Sequence, residues 1–255
     1  SRAPGRRGAG RSGQMAGIRA ALCSIAPPCG TRDARAAPAT MAAMLRYHTI
    51  PVTPFQQNCS LLWCDQTQEA VLIDAGGELG VLRAAVQERG LKLVALWVTH
   101  AHIDHAGGVG QLAREERLPI VGPQRADQFW IDGLAQQSRM FGFPPAEPFA
   151  PTRWLEDGET LTLGQSEVHV RHCPGHTPGH VVFHAPEIKR CFVGDVLFAG
   201  SIGRTDFPQG NHDQLIDSIT QRLWPMGDDT VFIPGHGPES TFGEERKFNP
   251  YVRGT

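Results

Sequence analysis

No run of 18 apolar residues occurs anywhere in the 255-residue chain, so no segment of it qualifies as a membrane-spanning helix. Cysteine is sparse and unpatterned. The six, at positions 23, 29, 59, 64, 173 and 191, form no Cys-x-x-Cys pair and no zinc-finger spacing. They read as unpaired thiols of a protein in a reducing cytoplasm; Cys173 stands out because it lies three residues before a candidate ligand. A dinucleotide fingerprint is missing too. The apolar run at 70–74 is followed by Gly76-Gly77-Glu-Leu-Gly80, which is not Gly-x-Gly-x-x-Gly.

Lysine is absent from residues 1–46, which carry eight Arg against one acid, Asp33, for a net +7. The remainder holds 16 basic and 25 acidic side chains, a net −9, although the whole chain is only −2. An acidic body argues against nucleic acid as substrate, because phosphate binding needs clustered Lys and Arg. Residues 1–40, rich in Arg, Gly, Ala and Pro, have too little apolar surface to order themselves and are expected to be a disordered extension. They are either an Arg-rich targeting segment, an upstream extension, or residues added to the natural chain. Met41 or Met44 is a natural start for a folded part, giving one expected domain over 41–255.

What is present is turn-forming: 29 Gly and 20 Pro in a chain that is 40% hydrophobic and 20% charged favour short strands over a helical bundle. Hydrophobic patterning predicts strands over 45–52, 59–64, 70–74, 93–98, 120–121, 160–163, 167–172, 181–183, 190–193 and 230–233. Helices are expected over 81–89, 111–117 and 213–223. The aromatic-rich stretch 124–143 reads either as a helix packed on the core or as a wall beside a site. Strands punctuated by helices in both halves imply an α/β (α+β) protein with helices outside a pair of sheets.

Four apolar strands end in tight loops that carry metal-type ligands: His100-Ala-His102-Ile-Asp104-His105 after 93–98, His172-Cys-Pro-Gly-His176 after 168–170, Gly194-Asp195 after 191–193, and Pro-Gly-His236-Gly after 231–233. Strand ends provide a rigid scaffold, and the Gly and Pro let backbone approach closely. In extended backbone His100 and His102 project to one side, while Asp104 and His105 follow where the chain turns into a helix and face a second position. Four such groups within six residues are costly to gather unless a cation holds them. His172 and His180 flank the His176 loop, either orienting ligands or serving as ordinary strand-end polar residues. His48, His169, His184 and His212 carry no expected chemistry.

The pattern His-x-His-x-Asp-His, followed by isolated Gly-His, Gly-Asp and Gly-His signals, resembles the metallo-β-lactamase superfamily over residues 45–249. The resemblance implies a four-layer αββα sandwich with metals at one edge of the sheets. It also implies the ligand split: His100, His102 and His176 on one metal, Asp104, His105 and His236 on the other, and Asp195 between them. Such a thiolate-free set suits zinc, but also iron or manganese. Two dications, two carboxylates and a bridging hydroxide leave one net positive charge, which favours an anionic substrate. The hydroxide forms because metals lower the pKa of water from ~15.7 towards ~7, and two ions ~3.5–4 Å apart both activate it and stabilise the leaving group. Asp104 is expected to orient it.

The run Gly194-Asp-Val-Leu-Phe-Ala-Gly-Ser-Ile-Gly-Arg-Thr-Asp-Phe-Pro-Gln-Gly210 resembles the glyoxalase II group, the hydroxyacylglutathione hydrolases. The resemblance makes Arg204, nine positions past the bridging Asp, a glutathione contact; a surface ion-pair role is the alternative. Phe141 is the other candidate substrate contact. Departures matter: Asp206 stands where the group has an aromatic residue, and Pro238 replaces a Tyr two positions after the last His. The chain also ends about twenty residues after His236, short of the group's helical C-terminal glutathione-binding domain. Gln-Ser-Arg-Met-Phe-Gly at 137–142 and His-Cys-Pro-Gly-His-Thr-Pro-Gly-His at 172–180 resemble the short bacterial YcbL-type branch. The expected activity is hydrolysis of a small anionic thioester such as S-D-lactoylglutathione to glutathione and D-lactate. The rival is a mononuclear iron persulfide dioxygenase, which shares Gly-Arg-Thr-Asp-Phe at 203–207 and maps its iron to His100, His176 and Asp195. Those enzymes typically end in Ala-His-Asp-Tyr; this chain has Pro-Gly-His-Gly, which favours the hydrolase.

Overall fold

The computed structural model describes residues 45–254, so the expectation for residues 1–40 lies outside the described residues. Alternation of apolar side chains along nearly every strand dictates the architecture. On β2 (Gln57–Cys64), Leu61 and Leu62 point to opposite faces and both are buried. On β3 (Glu69–Ile73), Leu72 enters one core while Val71 and Ile73 enter another. Strands buried on both faces must lie in the middle of a layered protein.

Together with β1 (Leu45–Val52), β4 (Lys92–Trp97) and β5 (Ile120–Val121) they form a five-stranded sheet in the order β1-β2-β3-β4-β5. The second sheet collects β6 (Thr160–Leu163), β7 (Ser166–His172), β8 (Val181–Ala185) and β9 (Arg190–Gly194). After a small hairpin of β10 (Leu197–Phe198) and β11 (Ser201–Ile202), it is completed by β12 (Val231–Pro234) and β13 (Ser240–Thr241), in the order β13-β12-β9-β8-β7-β6. A central core of Leu62, Val71, Ile73, Trp97, Val181, Phe183 and Phe192 fills the space between the two sheets.

Helices cover both outer faces. Leu82 of α1 (Leu79–Glu88), Ile103 of α2 (Ile103–Ala106), Leu112 of α3 (Val109–Glu116), Ile131 of α4 (Gln128–Asp132) and Leu134 of α5 (Leu134–Phe141) pack on the first sheet. Leu215 of α6 (His212–Asp217), its π-type continuation Ser218–Leu223, and Phe242 of α7 (Phe242–Phe248) pack on the second. Three cores thus separate four layers, the expected αββα sandwich. The β10–β11 hairpin, β13 and α7 were not expected from the hydrophobic pattern, while α2 is the turn into helix expected at Asp104 and His105.

Topology places the site. β3 runs parallel to β4, and β9 parallel to β12. β7 and β9 both lie antiparallel to β8, so they too share a direction. The loops after β3, β4, β7, β9 and β12 therefore open at C-terminal strand ends, where ligand sites collect in such sheets. The sheets are tied together there. Asn58 donates its backbone N–H to Gly235 O at 2.7 Å and its side-chain amide to the carbonyls of Pro234 and Gly237 at 3.0 and 2.9 Å.

Candidate metal centre

After β4, the chain stays extended through His102, the residue that caps α2, and enters the helix at Ile103. His100 and His102 reach inward from this extended segment, and Asp104 and His105 from the first turn of α2. The other loops bring His176, Asp195 and His236 to the same place. His102 Nδ1 lies 3.2 Å from His100 Nε2 and 2.9 Å from His176 Nε2. Asp104 Oδ2 lies 3.0 Å from His236 Nε2 and 3.8 Å from His105 Nε2. Asp195 sits between these groups, its Oδ1 3.3 Å from His105 and its Oδ2 3.5 Å from His176 and 3.7 Å from His236. All seven residues are buried except His236, whose side chain keeps 29% of its surface.

Hydrogen bonds on the far side of four of the five rings settle which nitrogen carries the proton; the outward Nε2 of His102 has no partner. Thr99 Oγ1 gives its only proton to Asp74 Oδ2 at 2.6 Å, so it must accept from His100 Nδ1 at 3.0 Å. His105 Nδ1 donates to Asp74 Oδ2 at 2.8 Å, His176 Nδ1 to Arg204 O at 2.8 Å, and His236 Nδ1 to Phe55 O at 3.1 Å. Carboxylate and carbonyl oxygens only accept, so in the neutral form of each of these four rings the lone pair is on Nε2 and faces inward. Acceptors of this kind also orient rings for a metal.

The inward atoms lack enough protons to satisfy one another. His105 Nε2 and Asp195 Oδ1 are buried without a hydrogen-bond partner. Burial, then the crowd of neighbouring imidazoles, drives His100 and His102 well below the ordinary histidine pKa, so their lone pairs are free at neutral pH. Burial opposes protonation of His105 as well, but Asp195 and Asp104 outweigh it and hold that ring well above its ordinary value, so positive charge is favoured at its Nε2, where a bound cation would replace the proton. Three imidazole nitrogens meeting near 3 Å, beside an orphaned nitrogen and carboxylate oxygen, fit a divalent metal centre.

Around the cluster, Asp74 escapes sequence reasoning, whereas His172 and His180 are the flanking histidines the sequence offers for orienting ligands. Asp74, at positive φ after β3, accepts from Thr99 N–H at 2.7 Å as well as from the Thr99 hydroxyl and His105. With three donors on two oxygens it holds ligands rather than a metal. Its signal was an acid at the end of an apolar strand followed by Gly-Gly. Asp74→Ala is expected to lower metal affinity about 10–100-fold, as loss of such a ligand-orienting partner does; competition with a chromogenic zinc chelator measures it, and unchanged affinity would remove Asp74 from this role. His180 accepts the Asp195 backbone N–H at 3.1 Å and stacks on His100, ring centroids 4.6 Å apart. His172 donates to Pro178 O at 2.8 Å and so braces the His176 loop. Gly235 is required sterically: a Cβ there would lie 2.1 Å from Asp195 Oδ1.

A cavity of about 790 Å³ opens over the cluster. Both readings of 124–143 hold, on opposite faces: Ile131 and Leu134 enter the core, while Phe129, Trp130, Met140 and Phe141 line the cavity. Trp130 packs edge-on to His102 at 4.5 Å. Phe141 reaches Phe55 across the mouth at 6.1 Å. Arg204 is on the rim, its guanidinium paired with Asp206.

A model of the metallo-β-lactamase superfamily matches residues 52–236. The chain belongs to this superfamily. It is 45% identical over 204 residues to hydroxyacylglutathione hydrolase GloC of Haemophilus influenzae, which covers 80% of this chain and 96% of that protein. Among solved structures, BLEG-1 B3 metallo-β-lactamase superposes with a TM-score of 0.76 at 34% identity, over 82% of this chain and all of that one. TTHA1623, solved in a di-iron-bound form, gives a TM-score of 0.74 at 37% identity, over 80% of this chain and all of that one. The superfamily fold thus extends through both sheets and all five ligand-bearing or ligand-orienting loops. No helix among the described residues is long and apolar enough to cross a membrane, and Cys59, Cys64, Cys173 and Cys191 are unpaired and buried.

Proposed function

We propose that the cluster holds two divalent metal ions and that the protein hydrolyses thioesters of the S-D-lactoylglutathione type. His100, His102 and His176 would hold one ion, Asp104, His105 and His236 the other, with Asp195 shared. The observation that carries this reading is the inward aim of the imidazole lone pairs, each of four rings fixed by an acceptor behind it. Five imidazoles and two carboxylates without thiolate suit zinc, and iron and manganese accept the same donors.

When bound, such ions bring the pKa of water towards neutrality and polarise a carbonyl oxygen. The chain's own residues do the rest. Asp104 lines the cavity floor beside His236, which supports a role for its carboxylate in orienting the attacking water. Phe129, Trp130 and Phe207 wall the cluster off from bulk solvent, which strengthens every charge interaction within it. The likeness to a hydroxyacylglutathione hydrolase over most of both chains supports a thioester as substrate. A single-iron site built from His100, His176 and Asp195 would leave His102, Asp104, His105 and His236 unused, so the geometry favours the hydrolase.

The test combines metal analysis with two assays. Close to two metals per chain are expected, with free thiol released from S-D-lactoylglutathione. Treatment with a strong chelator should reduce the rate at least 100-fold, and added zinc should restore it. One iron per chain, with oxygen uptake on glutathione persulfide and no thiol release, would overturn the proposal.

A further inference from the structure

Away from the metal-ligand cluster itself, the cavity wall offers few groups that recognise charge. Phe55, Phe129, Trp130, Phe141, Phe198 and Phe207 provide its walls, and Arg204 is the only cationic side chain among the residues that line it. That cation is paired on the exposed rim, where it and Asp206 keep 66% and 67% of their side-chain surface. Its Nε and Nη2 donate to the two carboxylate oxygens of Asp206 at 2.9 and 2.8 Å, a bidentate pair. Its guanidinium also lies over the Phe207 ring, 4.4 Å from the centroid. The backbone of Arg204 has a separate task, since its carbonyl accepts the proton of His176 Nδ1.

A glutathione conjugate carries two carboxylates and one ammonium. Its carboxylates need cations, and the rim offers one that faces a carboxylate two residues away. An uncharged aryl or alkyl group, by contrast, gains from burial against aromatic walls without any counter-ion. We propose that this cavity selects uncharged, apolar thioesters over anionic glutathione conjugates, and that Asp206 sets the preference by neutralising Arg204. The inference rests on the thioester reading above and ranks substrates within it: glutathione thioesters are turned over, and uncharged apolar thioesters bind more tightly. The centre keeps its attraction for the polarised carbonyl; the penalty falls on the remote carboxylates.

Equilibrium binding tests this without turnover, by calorimetry on the metal-loaded protein. The probes are S-methylglutathione, an anionic thioether that is not hydrolysed, and thioanisole, an uncharged one. Asp206→Asn should tighten S-methylglutathione about fivefold, the factor that corresponds to one unit charge at ~4 Å in water. High salt should erase that gain. Arg204→Gln alone should change S-methylglutathione binding by less than about twofold, and the double variant should return to the wild-type value. Thioanisole affinity should not follow this pattern. An unchanged affinity in Asp206→Asn would overturn the proposal. So would a fivefold loss in Arg204→Gln, because Arg204 would then already serve the anion. Absence of turnover by the wild-type protein on both S-D-lactoylglutathione and S-phenyl thioacetate would instead remove the thioester reading, a result these binding constants do not depend on.

Discussion

Asp195→Ala is expected to cost about 10³-fold or more in kcat/KM and to reduce bound metal from two ions per chain to one or fewer. Asp195 is the one carboxylate that faces both ligand groups, within 3.3 Å of His105 and 3.5 Å of His176. Burial favours its neutral form, but His105, His176 and His236 outweigh this and hold its pKa well below the carboxylate range. The side chain therefore favours its ionised form, as the proposed bridging role requires. Alanine removes the shared ligand and its charge together; Asp195→Asn keeps the volume and one acceptor oxygen but loses the charge. Both should fall short of two metals by elemental analysis, with Asn retaining more than Ala. An Ala variant with two metals and a tenth of the wild-type rate would show that the two groups hold their ions independently.

The second large effect lies outside the ligand set. Asp127 is completely buried just before α4, and its carboxylate gathers two ligand loops. Its Oδ2 accepts from Ala101 N–H and the Thr177 hydroxyl, both at 3.0 Å, and its Oδ1 accepts from Gly179 N–H at 2.6 Å. Ala101 lies between His100 and His102, and Thr177 follows His176, so one carboxylate fixes the loops bearing all three residues of one group. Burial pushes its pKa up to about 7, and the three donors pull against that rise. Asp127→Ala leaves three buried donors without an acceptor, which is expected to cost roughly 3 kcal/mol or more. For a domain of this size that lowers Tm by roughly 10 °C. Metal affinity should fall about 10–100-fold, since a partner that orients the ligands is lost. Thermal unfolding of the metal-free protein and zinc titration measure the two effects separately. A Tm within ~2 °C of wild type would mean that the loops hold their shape without the carboxylate.

The two predictions differ in how visible their residues are along the chain. His100, His102, Asp104 and His105 fall within six positions, and no apolar packing explains such a group. Asp195 and His236 each follow an apolar strand and a glycine, so they too stand out. Asp127 stands in an ordinary helical stretch between Ala and Gln, and nothing local separates it from a surface acid. Its meaning comes from partners 26 and 52 positions away. Asp74 is intermediate, since its strand-end place is legible while its contacts with Thr99 and His105 are not. Arg204 shows the reverse case. The glyoxalase II resemblance implies an anion contact and the alternative is a surface ion pair; the exposed pairing with Asp206 two residues on bears on that choice and is invisible in the sequence.

Strand alternation and the clustering of ligand-type residues at strand ends determined the layered α/β fold and the presence of a metal centre. Both are short-range properties: side-chain direction alternates with the pleat, and unsatisfied imidazoles are too costly to collect by chance. Only the tertiary structure decided the rest. Parallel pairing of β3 with β4 and of β9 with β12 brings distant loops to one edge. Hydrogen bonds from behind four of the five rings choose the tautomer, and aromatic side chains line the cavity above them. These depend on atoms far apart in sequence meeting at hydrogen-bond distance, which no local pattern records.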